Sequence, residues 1–509
     1  MACSKSSKTT GDFFGNAPDI VIDKILESLP ISMAVQTSVL SKRWRWAWLS
    51  LKSLIFGLDF WKELTSKDEY YDLQKFSQII SNILLHHRGS VHDFYVYIPA
   101  IQDINRDCAN HSQWISFLSN NGVRKITMIN NWLTKKDITS YIFWCRELVG
   151  LELKGFCFCP PPTDFNGFPN LKHLVLEDIH FKQNIFSSLI ENCRMLETLK
   201  LVGWSGMDQI VIDAPTLQTL ILNGHFESLA FRNIRSLRSI SMGLKIMPNK
   251  LVTVATIDVV NLLATSCQLQ FIQFDGHLCK LFAAGGNIRS SSVTFNNLNE
   301  LCLSNLCLSE FGTLRDLLSL IECCPHIKKL DISVISGENV GQHIPDFNYN
   351  YKLDHLREVY IKGIIGSIAE LKFVEYLLAI SPILENLFFK SGEFRVDSEL
   401  KMSRALMGFP RASTKARLLV TSGKNVGQNI DDFNYNYKLD HLHEVSIKGI
   451  TGSSAELKLV EYLLAISPVL ENMFFYSDKL GIELEQKMLR ALMGFPRASP
   501  KARLLFLEK

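Results

Sequence analysis

The chain has 509 residues, of which 47% are hydrophobic and 21% charged. That is too apolar for a disordered polymer and long enough for several domains or one extended array. Lys and Arg total 54 against 51 Asp and Glu, a formal +3, and so even a balance argues against a dedicated nucleic-acid or membrane-surface protein.

Residues 1–11 are polar and basic with no apolar core behind them, which reads as a disordered tail rather than a secretory signal. No run of roughly 20 apolar residues would span a bilayer. The expected location is therefore the cytoplasm, the nucleus or both, with the twelve cysteines reduced.

Residues 12–55 read as a helical module. Pro18 and Asp19 suit a first helical turn, and Ile22, Ile25, Leu26 and Leu29 follow at helical spacing. Pro30 interrupts, Ser32 is placed to cap a second helix, and Val35 and Val39 lie one turn apart. A third helix is expected from about Ser41, with Leu40, Trp44, Ala47, Trp48 and Leu51 on one stripe and Lys42, Arg43, Arg45 and Trp46 off it. Three helices in so few residues bury little surface, so a partner is expected to complete them.

Residues 56–335 repeat one template, apolar at positions 1, 4 and 6. It reads Leu148-V-G-L-E-Leu153, Leu171-K-H-L-V-Leu176 and Leu196-E-T-L-K-Leu201, and continues to Ile327-K-K-L-D-Ile332, with weaker copies from Val91 and Val123. Starts fall 20 to 32 residues apart from Leu148 onward, close to the leucine-rich-repeat period. Side chains alternate along a strand, so positions 4 and 6 share a face that only a stack of repeats buries. The expected fold is α/β: a curved parallel sheet with helices outside. At the helix-to-strand corner Cys193, Ser266, Cys324 and Ser381 align, where a small residue fits. The cysteines read as core material, because no C-x-x-C occurs. No nucleotide-binding glycine motif and no H-E-x-x-H is present, so no cofactor, metal or catalytic residue is expected.

Residues 336–421 and 422–509 form two copies of one module; 336–419 match 422–505 at 63 of 84 positions. Each carries F-N-Y-N-Y-K-L-D-H and ends in R-A-L-M-G-F-P-R-A-S-x-K-A-R-L-L. Copy one either packs against copy two, or the two are separate caps joined around Thr421–Asn425. Position 5 of each template points away from the core. Its row passes through Lys200 and Asp331 and becomes aromatic at Tyr360, Phe388 and Phe474. Exposed aromatics favour partners, which makes these five the candidate substrate-binding residues on the concave sheet face.

Pro18-D-x₅-I-L-x-x-L-P30 followed by A-V-x-T-S-V-L-S-K-R-W-R-x-x-W48 resembles the F-box of plant proteins. With the leucine-rich template and the twice-present V-E-Y-L-L-A-I-S-P-x-L-E-N, the chain resembles the plant F-box/leucine-rich-repeat/FBD family. Two departures are Ala17 before Pro18 and Ala47, where the family has larger apolar residues. The resemblance implies a non-catalytic substrate receptor of an SCF-type ubiquitin ligase. Pro18, Ile25, Leu26, Leu29, Pro30, Val35, Val39, Leu40, Trp44 and Trp48 would hold a Skp-family adaptor, and through it a cullin and a RING subunit. The other reading is a leucine-rich binding module with a degenerate F-box, acting outside the ligase.

Overall fold

In a computed structural model, the structure describes residues 17–64, 73–100, 110–131, 134–182, 185–244, 268–279, 294–308, 312–335, 347–391, 409, 411–413, 417–421, 444–448, 454–477 and 482–508. The tail, Ser266, Gly423 and the second F-N-Y-N-Y segment lie outside them. The fold is α/β, and its described residues fall into two compact units that part between Leu237 and Arg238.

The first unit opens on helices Asp19–Glu27 and Ile31–Gln36. The amides of Val21 and Ile22 bond the Pro18 carbonyl, and Pro30 itself, not Ser32, caps the second helix. The third helix differs from expectation: the chain forms two 3₁₀ segments, Thr37–Val39 and Trp44–Ser50. Aromatic side chains lose rotamer freedom against the preceding helical turn, and W-R-W-A-W holds three of them. The tighter winding also reassigns the stripe. Trp44, Leu49 and Leu51 are buried, whereas Leu40 faces solvent.

Seven parallel strands follow in this unit: Ser53–Phe56, Asp93–Ile98, Lys125–Asn130, Gly150–Lys154, His173–Glu177, Thr198–Val202 and Thr219–Gly224. Several repeats cover the strands' buried side with short strands rather than helices, as in Gln209–Asp213 with Ser228–Arg232. The second unit carries ten parallel strands, from Ser239–Leu244 to Arg503–Glu508. Helices Thr313–Glu322, Ile368–Ile380, Ser454–Ile466 and Ile482–Met493 accompany them.

The template explains the core directly. Leu171, Leu174, Leu176, Ile327, Leu330 and Ile332, at positions 1, 4 and 6 of two repeats, are fully buried. At the corner position, the Cys193 and Cys324 thiols each donate to the carbonyl four residues back, Leu189 and Leu320. Ser381 and Ser467 are buried at the same position with unpartnered hydroxyls.

The two duplicated copies pair strand to strand. Arg417–Thr421, which closes copy one, runs parallel to Glu444–Lys448 of copy two. Each copy closes itself the same way. The hydroxyls of Ser413 and Ser499 donate to the carbonyls of Leu384 and Leu470 at 2.7 and 2.6 Å. The amides of Ala412 and Ala498 bond the carbonyls of Leu378 and Leu464. These four bonds give the R-A-S motif its role: it pins the last strand to the helix and turn before it.

Position 8 holds the exit from the strand. Gly155, Asp178, Gly203, Asn305 and Gly363 all stand there with positive φ, the conformation that Gly, Asn and Asp tolerate best. At Gly155 and Gly363 an added Cβ would lie 2.1 Å from the carbonyl oxygens of Asn130 and Val334, whereas at Gly203 its nearest neighbour would be 3.8 Å away. Gly203→Ala therefore carries only the conformational cost, about 1–2 kcal/mol. Gly363→Ala also forces the backbone apart and should lower the thermal unfolding midpoint clearly further. Equal shifts for the two variants would contradict the steric account.

Candidate binding surfaces

Two surfaces gather the candidate residues. On the helical module, Leu26 and Trp44, expected among the adaptor contacts, are each only 1% exposed. They form the module's own core and are not available to a partner. Pro18, Ile25, Pro30, Val39 and Leu40 are exposed, and Leu29, Val35 and Trp48 are half-buried. Val39 is 87% exposed, and Trp46, which the helical stripe left aside, is 55% exposed. Ile20, Val21 and Met33 add further exposed apolar side chains. Sequence reasoning missed Trp46 because it assumed α-helical winding there, and missed Ile20, Val21 and Met33 because they lie off the apolar stripe of their α-helices. Arg43 pairs with Asp19, which ties the basic stretch to the start of the first helix.

The second surface is the face of the sheet turned away from the core. In the second unit Ser241, Gln273, Cys302, Asp331, Tyr360 and Phe388 stand opposite one another in strand register. The same register continues through Leu419 and Ser446 to Phe474 and Leu505. In the first unit Lys200 belongs to the matching row, which begins at Ile55 and Tyr95. Leu419 and Leu505 were missing from the sequence-derived row because lysine stands at position 1 of their strands, and the apolar run A-R-L-L was their only signal; Ile55 was missing although Leu51-K-S-L-I-Phe56 carries the full template one repeat before the weaker copies.

The charges on this face are neutralised locally. Lys200 pairs with Glu177 at 2.5 Å and Asp331 with Lys362 at 2.8 Å. Such pairs contribute about 0–1 kcal/mol, so a partner can displace them at little cost. The aromatic part is more distinctive. The Tyr360 and Phe388 rings stack at 4.3 Å and 8°. The Lys329 ammonium lies 5.4 Å from the Tyr360 ring centre and 2.6 Å from Glu300. The Tyr360 hydroxyl donates to Glu358 at 3.2 Å. Burial, then the Glu358 carboxylate, raises its pKa and keeps the phenol protonated. Phe474, like Tyr360 and Phe388, is half-buried.

In the first F-N-Y-N-Y segment, Phe347 and Tyr349 pack on Tyr376 with ring centres 5.0 and 5.6 Å away. The Tyr376 hydroxyl donates to the Asn348 carbonyl, so the segment is a packed connection over the helix Ile368–Ile380. Among the described residues one group of potential metal ligands meets, Asp208, His225 and Glu227, with donor atoms within 4.8 Å. Both carboxylates are exposed, and the bond from the Glu227 amide to the Asp208 carbonyl accounts for the approach.

A family model described as "FBD-associated F-box protein At5g56370, LRR repeats" matches residues 111–267. The F-box/FBD/LRR-repeat protein At1g13570 of Arabidopsis thaliana is 30% identical over 423 residues, 80% of this chain and 98% of that protein. The chain belongs to the F-box/FBD/LRR-repeat family. Two further members from Arabidopsis thaliana, FBD-associated F-box protein At4g13985 and F-box/LRR-repeat protein 13, are each 24% identical and cover 82% and 80% of the chain. Among the described residues no helix is long and apolar enough to cross a membrane.

Cys302 is the one thiol in the sheet-face row of this family member. Burial, then the Glu300 and Asp331 carboxylates, pushes its pKa up to about 12. At pH 8 it stays a neutral thiol, a poor nucleophile. Iodoacetamide should leave it unmodified in the native chain under conditions that label the urea-unfolded chain fully, read by peptide mass spectrometry. Rapid native labelling would show that the site is more open and less acidic in its surroundings than described.

Proposed function

We propose that this chain is the substrate-recognition subunit of an SCF-type ubiquitin ligase. Its helical module docks on a Skp-family adaptor and through it on a cullin and a RING subunit, and its sheet face holds a protein substrate. The observation that carries this reading is the set of large apolar side chains left exposed by a module with a small core: Val39 and Trp46, with Ile20, Ile25 and Leu40. Exposed apolar clusters mark interaction sites, and membership of an F-box family gives the partner's kind. Such a subunit works by proximity, making a bimolecular transfer effectively intramolecular. The substrate surface is proposed at Tyr360, Phe388 and Phe474, where aromatic side chains line the outward row. Asp331, opposite Tyr360 in register, acts there as a displaceable pair with Lys362, and Lys200 with Glu177 does the same on the first unit's own row.

Purified full-length chain, titrated with a plant Skp-type adaptor, tests the first half. Val39→Asp combined with Leu40→Asp should weaken adaptor binding at least ~30-fold, the scale of losing one hot spot, with circular dichroism unchanged. Trp44→Ala removes a buried aromatic at about 3–5 kcal/mol and should melt the module, losing adaptor and fold together. A wild-type chain that binds no adaptor would instead support the reading of a binding module outside the ligase.

Tyr360→Ser with Phe388→Ser tests the second half. Affinity capture from plant tissue, quantified by mass spectrometry, should lose substrate proteins while retaining adaptor and cullin. An unchanged set of captured proteins would move the substrate site elsewhere.

A further inference from the structure

The margin of the sheet in the second unit, where the chain enters each strand, is built differently from its aromatic face. Position 1 of each repeat there is buried, as Leu269, Leu298, Ile327 and Leu356 are, so the residues on either side of it lie at the surface. Successive amides and carbonyls lock them into rows. Gln270 bonds the Arg238 carbonyl, Asn299 that of Gln270, and Lys328 that of Asn299, all at 2.8 to 2.9 Å. These rows line an open groove of about 820 Å³, within the range of small-ligand sites.

The lining has a single electrostatic character. Arg238 stands at one end, Lys328 lies three strands along, the amides of Gln270 and Asn299 lie between them, and His326 and His355, the latter at the entry of the next strand, flank Lys328 with ring centres 4.9 Å apart. No carboxylate lines the groove. Several lysines elsewhere are met by acids: Lys172 by Glu197, Lys182 by Asp137, Lys329 by Glu300. Arg357, next in the row after Lys328, is taken by Glu385 and does not line the groove. Arg238 and Lys328 have no such partner among the described residues.

Two permanent cations left uncompensated around amide donors suit an anion with several acceptor oxygens. Guanidinium and ammonium groups form their stronger hydrogen bonds with phosphate and carboxylate oxygens, and side-chain amides add neutral donors. A phosphate ester, with three free oxygens and up to two charges, uses both cations and both amides at once. Strands lie about 4.8 Å apart, so Arg238 and Lys328 leave the backbone about 14 Å apart, with the two amide-bearing strands between them. From this we infer that the groove that Arg238 and Lys328 line is a binding site for a phosphate-ester group, carried by a phosphorylated partner protein or by a free organic phosphate. It is separate from both surfaces described above and does not rest on the ligase reading.

The experiment uses the full-length chain and two probes, inorganic pyrophosphate followed by calorimetry and an immobilised degenerate phosphoserine peptide pool beside its unphosphorylated counterpart. Saturable pyrophosphate binding that weakens with added salt is expected. Arg238→Gln combined with Lys328→Gln should reduce that affinity at least tenfold. Arg146→Gln combined with Arg194→Gln, the same charge change at exposed positions of the other unit, should leave it unchanged. Retention on the phosphorylated pool alone, competed by pyrophosphate, assigns the phosphate to a partner protein; pyrophosphate binding without retention assigns it to a free organic phosphate. Failure of both probes to bind, or an equal loss in the two double variants, overturns the site.

Discussion

An isolated strand with three apolar side chains on one side has nowhere to put them, and that constraint governs this molecule. Positions 1, 4 and 6 of the template are satisfied only when the next repeat lays its own strand alongside and closes the layer beneath. The parallel ladder then carries the backbone bonds, and the leucines are fully buried through both units. Corner residues must be small, five of the strand exits turn left-handed, and the termini of the array must be closed because each repeat leans on its neighbours.

The same constraint leaves the outward positions free. Nothing in the core asks Tyr360 to be aromatic or Arg238 to be basic, so their chemistry can follow a partner. The structure separates two outward regions by position in the template. The middle of the strand is aromatic with internally paired charges. The entry to the strand is cationic and rich in amides. One repeat thus presents different chemistry at different heights, and each can vary without disturbing the leucines between.

How much of this could be read beforehand depended on periodicity. The repeats, the parallel sheet and the duplicated end were legible, since a recurring leucine spacing has few structural solutions. The outward row was legible from Lys200 to Phe474 wherever the full template recurred, and was lost at Leu419 and Leu505, whose strands have lysine at position 1. The helical module was the weak point. A period of 3.6 residues placed Trp44 among the contacts and Trp46 aside, and the 3₁₀ turns at Thr37–Val39 and Trp44–Ser50 changed which side chains the core takes in. The strand-entry groove was invisible in advance, since its residues sit about 30 positions apart in sequence and meet only through the ladder.

The matched bonds of Ser413 to Leu384 and Ser499 to Leu470 bear on how such a chain changes over generations. Each copy brings both the pin and the carbonyl it grips. A genetic exchange that gains or loses the whole 86-residue interval, the offset between the copies, therefore leaves every remaining copy with its own fastening. Register is kept as well, because the strand that closes one copy is shaped to receive the first strand of the next. Reach along the sheet can thus grow or shrink in one step, without a succession of compensating substitutions. A lineage that must meet new partners quickly has in this arrangement a unit of variation larger than a residue and smaller than a domain fusion.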